Sequence, residues 1–254
     1  MNIIIDGKTC ECQRGEFILQ IARRNNIYIP TLCHSDALAG IGSCRLCMVE
    51  VIDRGRTKVV TACLFPVTKE IEVVTNSDKI KRMRKNLVML LKARCPENKE
   101  IDDLAKFFNV DEHRIERFKL DRAENCVICG LCTRACDELG IGAISTVNRG
   151  IYKDVSTPYN EISPDCIGCG SCANVCPTNA IKITQKDGCM EIWGKKFKMV
   201  KCSVCGEYFA AEEHIRFAYK RAGMELDLSK VMCDKCKREK SSKQIAKMYK
   251  DYDI

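Results

Sequence analysis

The chain has 254 residues, a formal charge of +8, 46% hydrophobic residues and 20 cysteines. That length suits two or three small domains rather than one large core, and no stretch approaches the ~18 apolar residues of a membrane span. The N-terminal text MNIIIDGKTCECQRGEF carries a charge by position 6 and no apolar leader run, which predicts a cytoplasmic protein with reduced thiols and no disulfide framework.

Residues 1–76 alternate short apolar runs with turns: Ile3-Ile4-Ile5, Cys47 to Val51, and Ile71 to Val74. Asp6-Gly7 after the first run is a hairpin signal. Apolar residues at 17, 18, 21 and 22 predict a short amphipathic helix. Strands around one helix with a Cys-rich loop describe a small α+β domain. Residues 77–121 differ. Ile80, Met83, Leu87, Leu90 and Leu91 share one helical face, and Pro96 predicts an end near Arg94. Ile101, Leu104, Phe107 and Phe108 mark a second helix, so this segment is a helical connector. Residues 122–187 hold an internal repeat, in which NCVICGLCTRACDELGIGAIS and DCIGCGSCANVCPTNAIKI align nearly residue for residue. Residues 188–254 add two more Cys-x-x-Cys pairs, a helical-looking stretch over 207–226, and a basic helical tail from Arg238 to Tyr252.

Cys33, Cys44, Cys47 and Cys63 are spaced C-x10-C-x2-C-x15-C. A [2Fe–2S] cluster needs four thiolates converging from a loop and a distant strand end. Gly40 and Gly42 permit the sharp bends such a loop requires. The text LCH…CRLCMVEV and the strand pattern around it resemble the N-terminal β-grasp [2Fe–2S] domain of the large iron–sulfur subunit of respiratory complex I. The same domain opens many [FeFe]-hydrogenases and NAD-linked formate dehydrogenases. The resemblance covers about residues 1–95 and implies one [2Fe–2S] cluster on these four cysteines; the alternative for this set is a structural zinc site. His34 follows a ligand and is read as a solvent-edge loop residue. Complex-I-type subunits continue with a His and three Cys that hold a further [4Fe–4S] cluster. Here the text is Leu91-Lys92-Ala93-Arg94-Cys95-Pro96-Glu97-Asn98, with no nearby Cys partner, and His113 is too distant. That cluster is expected to be absent and Cys95 to be a buried thiol.

Cys126-x2-Cys129-x2-Cys132-x3-Cys136 and Cys166-x2-Cys169-x2-Cys172-x3-Cys176-Pro177 match the bacterial ferredoxin run twice. In two-cluster ferredoxins the fourth Cys of each run ligates the other cluster. The resemblance therefore implies one [4Fe–4S] cluster on Cys126, Cys129, Cys132 and Cys176, and a second on Cys166, Cys169, Cys172 and Cys136. Gly130, Gly168 and Gly170 let the backbone approach the clusters, and Asp137-Glu138 follows the first run where Pro177 follows the second.

Cys202-x2-Cys205-Gly206 and Cys233-x2-Cys236, 27 residues apart, resemble a small C-terminal zinc ribbon, with a fourth Fe–S cluster as the rival. Cys10, Cys12, Cys95 and Cys189 read as ordinary thiols, and the single Trp193 as packing. The charge of +8 does not require nucleic acid. Each of the four thiolate-bound centres would carry roughly −2, so together they offset it.

No G-x-G-x-x-G, P-loop or paired acid–base constellation is present, and the motifs of flavin, pterin or hydrogenase active sites are missing. The expected function is electron transfer inside a cytoplasmic, anaerobic, multi-subunit NAD(P)-linked oxidoreductase. The resemblance points to electron-bifurcating hydrogenases, formate dehydrogenases or transhydrogenases of the Sporomusa type. The implied partners are flavoprotein subunits that handle NAD(P)H, and ferredoxin or a second redox subunit, with neither nucleic acid nor membrane. A free-standing polyferredoxin and a redox-sensing nucleic-acid-binding regulator are the alternatives.

Overall fold

Asp6 and Gly7, both with positive φ (49° and 81°), reverse the chain between β1 (Asn2–Ile5) and β2 (Lys8–Glu11). This is the two-residue hairpin geometry that the Asp-Gly pair favours. The computed structural model describes residues 1–111, 115 and 124–250; His113 lies outside the described residues. Helix α1 (Ile18–Arg24) follows, then a long loop, β3 (Met48–Asp53), β4 (Arg56–Thr61) and β5 (Glu72–Val74). The sheet order is β2-β1-β5-β3-β4, with β1 and β5 parallel. Alternation places Ile3, Ile5, Val49, Val51 and Val73 on one face, where they bury Ile18, Leu19 and Ile21 of α1.

Helix α2 (Asp78–Arg94) starts where the Ser77 hydroxyl accepts the Ile80 N–H at 3.3 Å. It ends at Cys95, before Pro96. Helix α3 (Lys99–Phe107) is capped by Asn98, whose carbonyl accepts the Ile101 N–H while its amide donates to Thr178 O at 2.8 Å. One side chain thus starts a connector helix and fastens it to the second Cys run. Leu46, Val88, Cys95 and Ile101 form a buried cluster that Cys44 and Val127 also touch. The connector therefore packs against both the first cysteine loop and the start of the repeat.

The repeat supplies α4 (Leu131–Glu138), the paired strands β6 (Ser145–Val147) and β7 (Asp154–Ser156), and α5 (Ser171–Asn174). Strands β8 (Thr184–Lys186), β9 (Cys189–Ile192), β10 (Lys195–Lys201) and β11 (Tyr208–Ala211) form an antiparallel sheet ordered β11-β10-β9-β8. This sheet spans the expected division at 187–188, because β8 on one side pairs with β9 on the other. Met190, Ile192, Phe197 and Met199 alternate inward and pack on Cys132, Cys172 and Val155. Helices α6 (Glu212–Arg221) and α7 (Asp234–Lys250) complete the described chain. The helical reading of 207–226 is corrected in part: Tyr208–Ala211 extends the sheet edge, and only then does the chain turn helical. The C-terminal helix begins at Asp234, ahead of the expected Arg238, so Cys236 lies within it. Among the described residues, no helix is long and apolar enough to cross a membrane.

Candidate metal centres

The first cysteine set comes from the loop between α1 and β3 and from the chain just after β4. Cys33, Cys47 and Cys63 are buried and Cys44 is half-buried. The sulfurs approach in pairs: the Cys44 N–H reaches Cys33 Sγ at 3.4 Å, and Cys47 and Cys63 Sγ lie 3.3 Å apart. Cys44 is lowered to about 5 by the hydrogen bond from the Cys33 thiol, which is itself pushed up. Cys47 is lowered to about 7 by its bond to the Cys63 thiol. In each pair one thiol is lowered while its partner, Cys33 or Cys63, is pushed up by the hydrogen bond they share. Gly42 has φ +62°, and a Cβ there would sit 2.7 Å from Leu64 Cδ1. The bend therefore favours glycine for its conformation, since the flexible end of Leu64 can give way. His34 Nε2 pairs with Asp36 at 3.0 Å, and with the side chain only 10% exposed and Nδ1 buried without a partner among the described residues, the solvent-edge reading is corrected.

The repeat builds two adjoining cavities. Cys126, Cys129, Cys132 and Cys176 line one. Cys136, Cys166, Cys169 and Cys172 line the other. Each cavity thus collects three cysteines from one run and the fourth from the other. Backbone N–H groups point at the sulfurs: Ile128 to Cys126 at 3.4 Å, Ala143 to Cys136 at 3.3 Å, and Ala180 to Cys176 at 3.3 Å. Ala143 and Ala180 perform the same task in the two halves, yet the first run needs three more residues to reach its alanine. The repeat is therefore less regular after the fourth cysteine than its text implies. Burial pushes Cys129 and Cys172 up to about 11, and Cys132 to about 12. Bare thiolates would be costly there, whereas a multinuclear iron centre would stabilise them. Gly168 has φ +68°, and a Cβ on it would meet Phe197 Cγ at 2.9 Å, which fixes the loop against β10. Ile128 occupies the matching place in the first run at φ +51°. A β-branched residue is held there only against its own preference.

The C-terminal cysteines are gathered most tightly. The sulfurs of Cys202, Cys205, Cys233 and Cys236 all lie within 4.8 Å of one another. Among the described residues, no other set of three or more His, Cys, Asp or Glu donors is drawn in so closely. Tetrahedral thiolates around one zinc ion sit roughly 3.8 Å apart, given a Zn–S bond of about 2.3 Å. Cys202 is lowered to about 6 by backbone N–H groups, including that of Cys233 at 3.3 Å. The first pair lies on the β10–β11 turn and the second at the start of α7. Of the remaining thiols, Cys10, Cys12 and Cys95 are buried and Cys189 is exposed. Burial pushes Cys95 up to about 12.

Three side chains at these sites were not legible in the motifs. Arg134 of α4 donates to Cys33 O at 2.8 Å and to Ala39 O, clamping the first cysteine loop onto the repeat. Arg94, ending α2, donates to Cys126 O and Lys153 O at 2.8 and 2.9 Å and pairs with Glu124. Trp193, read as packing, lines both cavities of the repeat. The one sequence signal for it was Trp-Gly between two alternating apolar stretches, a hairpin tip.

Residues 1–78 match the 2Fe-2S iron-sulfur cluster binding domain, and residues 121–183 the 4Fe-4S dicluster domain. With the cysteine sets described above, these matches define an iron–sulfur protein built from two electron-transfer domains. Its relatives are subunits of NAD(P)-linked oxidoreductases, as the complex-I-like and hydrogenase-like motifs implied. It is 31% identical over 210 residues to the NADP-reducing hydrogenase subunit HndD of Solidesulfovibrio fructosivorans, covering 71% of this chain and 36% of that one. It is 27% identical over 203 residues to the NADH-ubiquinone oxidoreductase 75 kDa subunit of Reclinomonas americana, covering 71% and 29% respectively. The structure matches a chain of an NAD+-reducing [NiFe]-hydrogenase in the H2-reduced state with a TM-score of 0.61 and 25% identity, over 70% of this chain and 85% of that one. The matched region spans about a third of the curated relatives' length.

Proposed function

We propose that this chain is the electron-relay subunit of a cytoplasmic NAD(P)-linked oxidoreductase complex, of the electron-bifurcating transhydrogenase, hydrogenase or formate dehydrogenase kind. Cys33, Cys44, Cys47 and Cys63 hold one [2Fe–2S] cluster. Cys126, Cys129, Cys132 and Cys176 hold one [4Fe–4S] cluster, and Cys136, Cys166, Cys169 and Cys172 the other. Cys202, Cys205, Cys233 and Cys236 hold zinc. When bound, the clusters supply one-electron redox centres. The protein's own residues bring them together, shield them from water and aim N–H groups at their sulfurs.

One observation carries this reading. Cys33, Cys129 and Leu131 belong to a single buried cluster against which Cys44 and Val127 also pack. The two cysteine loops touch directly and are held by Arg134 and by Ser43, whose hydroxyl donates to Ile128 O at 3.4 Å. A relay therefore needs no further centre where Cys95 lies buried in the apolar connector. Similarity to hydrogenase and NADH oxidoreductase subunits supports flavoprotein partners that handle NAD(P)H, with ferredoxin or a second redox subunit at the other end. Anaerobic purification of the native complex tests this. A flavoprotein is expected to co-purify in fixed ratio, with iron and sulfide matching one two-iron and two four-iron centres. A lone monomer that retains every cluster would overturn it.

Two further outcomes follow from the ligand sets. Thiol alkylation of the anaerobic holoprotein should modify Cys189 at least tenfold faster than any other cysteine, as mapped by peptide mass spectrometry, because metals or burial cover the rest. A chelator that strips zinc but spares iron should open residues 202–238 to trypsin while residues 1–199 stay protected. The apolar core of this module is small: Val200, Ile215 and Val231 are buried, with Phe209, Ala210, Tyr219, Leu226 and Leu228 partly buried around them. Unchanged cleavage after zinc loss would count against a structural metal there.

A further inference from the structure

The β9–β10 hairpin lies beyond the matched dicluster segment, residues 121–183. Its tip nevertheless enters the metal-binding region. Ile192 pairs with Lys195, leaving Trp193 and Gly194 as the two turn residues, with φ of +52° and +73°. Such a turn favours Asn-Gly. A bulky aromatic in the left-handed region is an outlier that its surroundings must hold in place. Here the surroundings are the two cavities, since Trp193 lines both. Its indole Nε1–H donates to Cys172 Sγ at 3.5 Å. Lys195, on the next residue but one, donates to Pro164 O and Cys166 O at 2.8 and 2.6 Å, so the hairpin also grips the loop that carries Cys166.

We propose that Trp193 is a positioning residue for the second [4Fe–4S] centre, whose indole N–H hydrogen bond to the Cys172 sulfur raises that centre's reduction potential relative to its neighbour. This rests on the ligand sets proposed above. Reduction adds one electron, supplied by the adjoining centre, and no proton moves. The added negative charge is shared with the ligand sulfurs, so a hydrogen bond to one of them strengthens on reduction and favours the reduced form. The effect is local to the cavity that holds Cys172, although the ring also walls the other.

Trp193→Phe keeps an aromatic ring and removes only the donor. In anaerobic, fully loaded protein, redox titration followed by electron paramagnetic resonance should show one [4Fe–4S] signal that is about tenfold harder to reduce, a shift of 59 mV for a one-electron couple. The other [4Fe–4S] signal, the [2Fe–2S] signal and the iron and sulfide content should not change. Three unmoved potentials at full iron content would overturn the inference alone. Wild-type protein without two four-iron signals would overturn the ligand reading, and the inference with it. A second measurement needs no variant. Because this is the single Trp, indole-15N labelling marks one site. The reduced wild-type protein is expected to show hyperfine coupling between that nitrogen or its exchangeable proton and one cluster, and absence of any coupling would overturn the proposal.

Discussion

Replacing Cys176 with Ala is expected to destroy the four-iron centre of Cys126, Cys129 and Cys132, and to leave intact the one whose ligands stand next to it in sequence. The effect should be complete loss of that centre or its conversion to a three-iron form, because a fourth thiolate is removed and, among the described residues, no other cysteine lines that cavity. The chain makes the crossing after α5, where the Ala180 N–H holds Cys176 Sγ at 3.3 Å and the Thr178 hydroxyl lies 3.7 Å away. Spectra of single variants can be ambiguous between two similar centres, so the decisive comparison is a double-variant cycle. Cys126→Ala, Cys176→Ala and the double variant should each lose the same single centre. Cys169→Ala combined with Cys176→Ala should lose both. If the Cys169 and Cys176 variants instead lost one shared centre, the crossed ligand sets would be wrong.

The parts of this molecule that were legible in sequence are those where one local rule acts alone. Asp6-Gly7 made a hairpin, the 17–22 spacing made α1, and Pro96 ended α2, as the text implied. The cysteine runs were legible because metal ligation fixes spacing within a few residues. Illegible were the devices that act between distant segments. Arg94, Arg134 and Asn98 look like ordinary polar residues of short helices and their ends, but each donates to a backbone carbonyl 32 or more residues away. Trp193 reads as one more buried aromatic until the hairpin folds it between the cavities. The same limit explains the C-terminal segment. Tyr208–Ala211 looked helical because its apolar residues also suit a helix, and only the edge of β10 decides for a strand.

These long-range donors also show how the connector joins the two cysteine-bearing segments. Where complex-I-like subunits continue with further ligands, this chain has Cys95 in an apolar cluster and Asn98 bonded to Thr178, two residues past Cys176. Glu100 accepts from Asn179 at 2.8 Å on the next turn of chain. Packing and hydrogen bonds thus hold the first cysteine loop against the repeat.

Arg84 provides the second large expected effect. It lies on α2 yet is 1% exposed. Its guanidinium donates to Leu46 O at 2.9 Å, Met48 O at 2.8 Å and Asn76 Oδ1 at 3.0 Å. The two carbonyls flank Cys47, so Arg84 fixes the backbone on both sides of a proposed ligand. No carboxylate forms an ion pair with it among the described residues, and burial pulls its pKa down. An unpaired buried cation is costly. The charge that acts on it most strongly is a thiolate at Cys47, ahead of Tyr28 and Asp6. With the proposed ligand set, Arg84 and the first cysteine loop depend on each other: an anionic centre there would stabilise the cation, and the cation's donors hold the loop in shape. Arg84→Met removes the charge and leaves two buried carbonyls without donors, at a cost of about 3 kcal/mol or more. Urea denaturation followed by circular dichroism should show that loss, and the visible bands of the [2Fe–2S] centre should bleach first while both four-iron signals persist. Arg84→Lys should recover only part of it, since an ammonium cannot present the planar fork that reaches three acceptors at once. A Met variant within ~0.5 kcal/mol of wild type, the scatter expected of an ordinary surface change, would show that the buried guanidinium is dispensable.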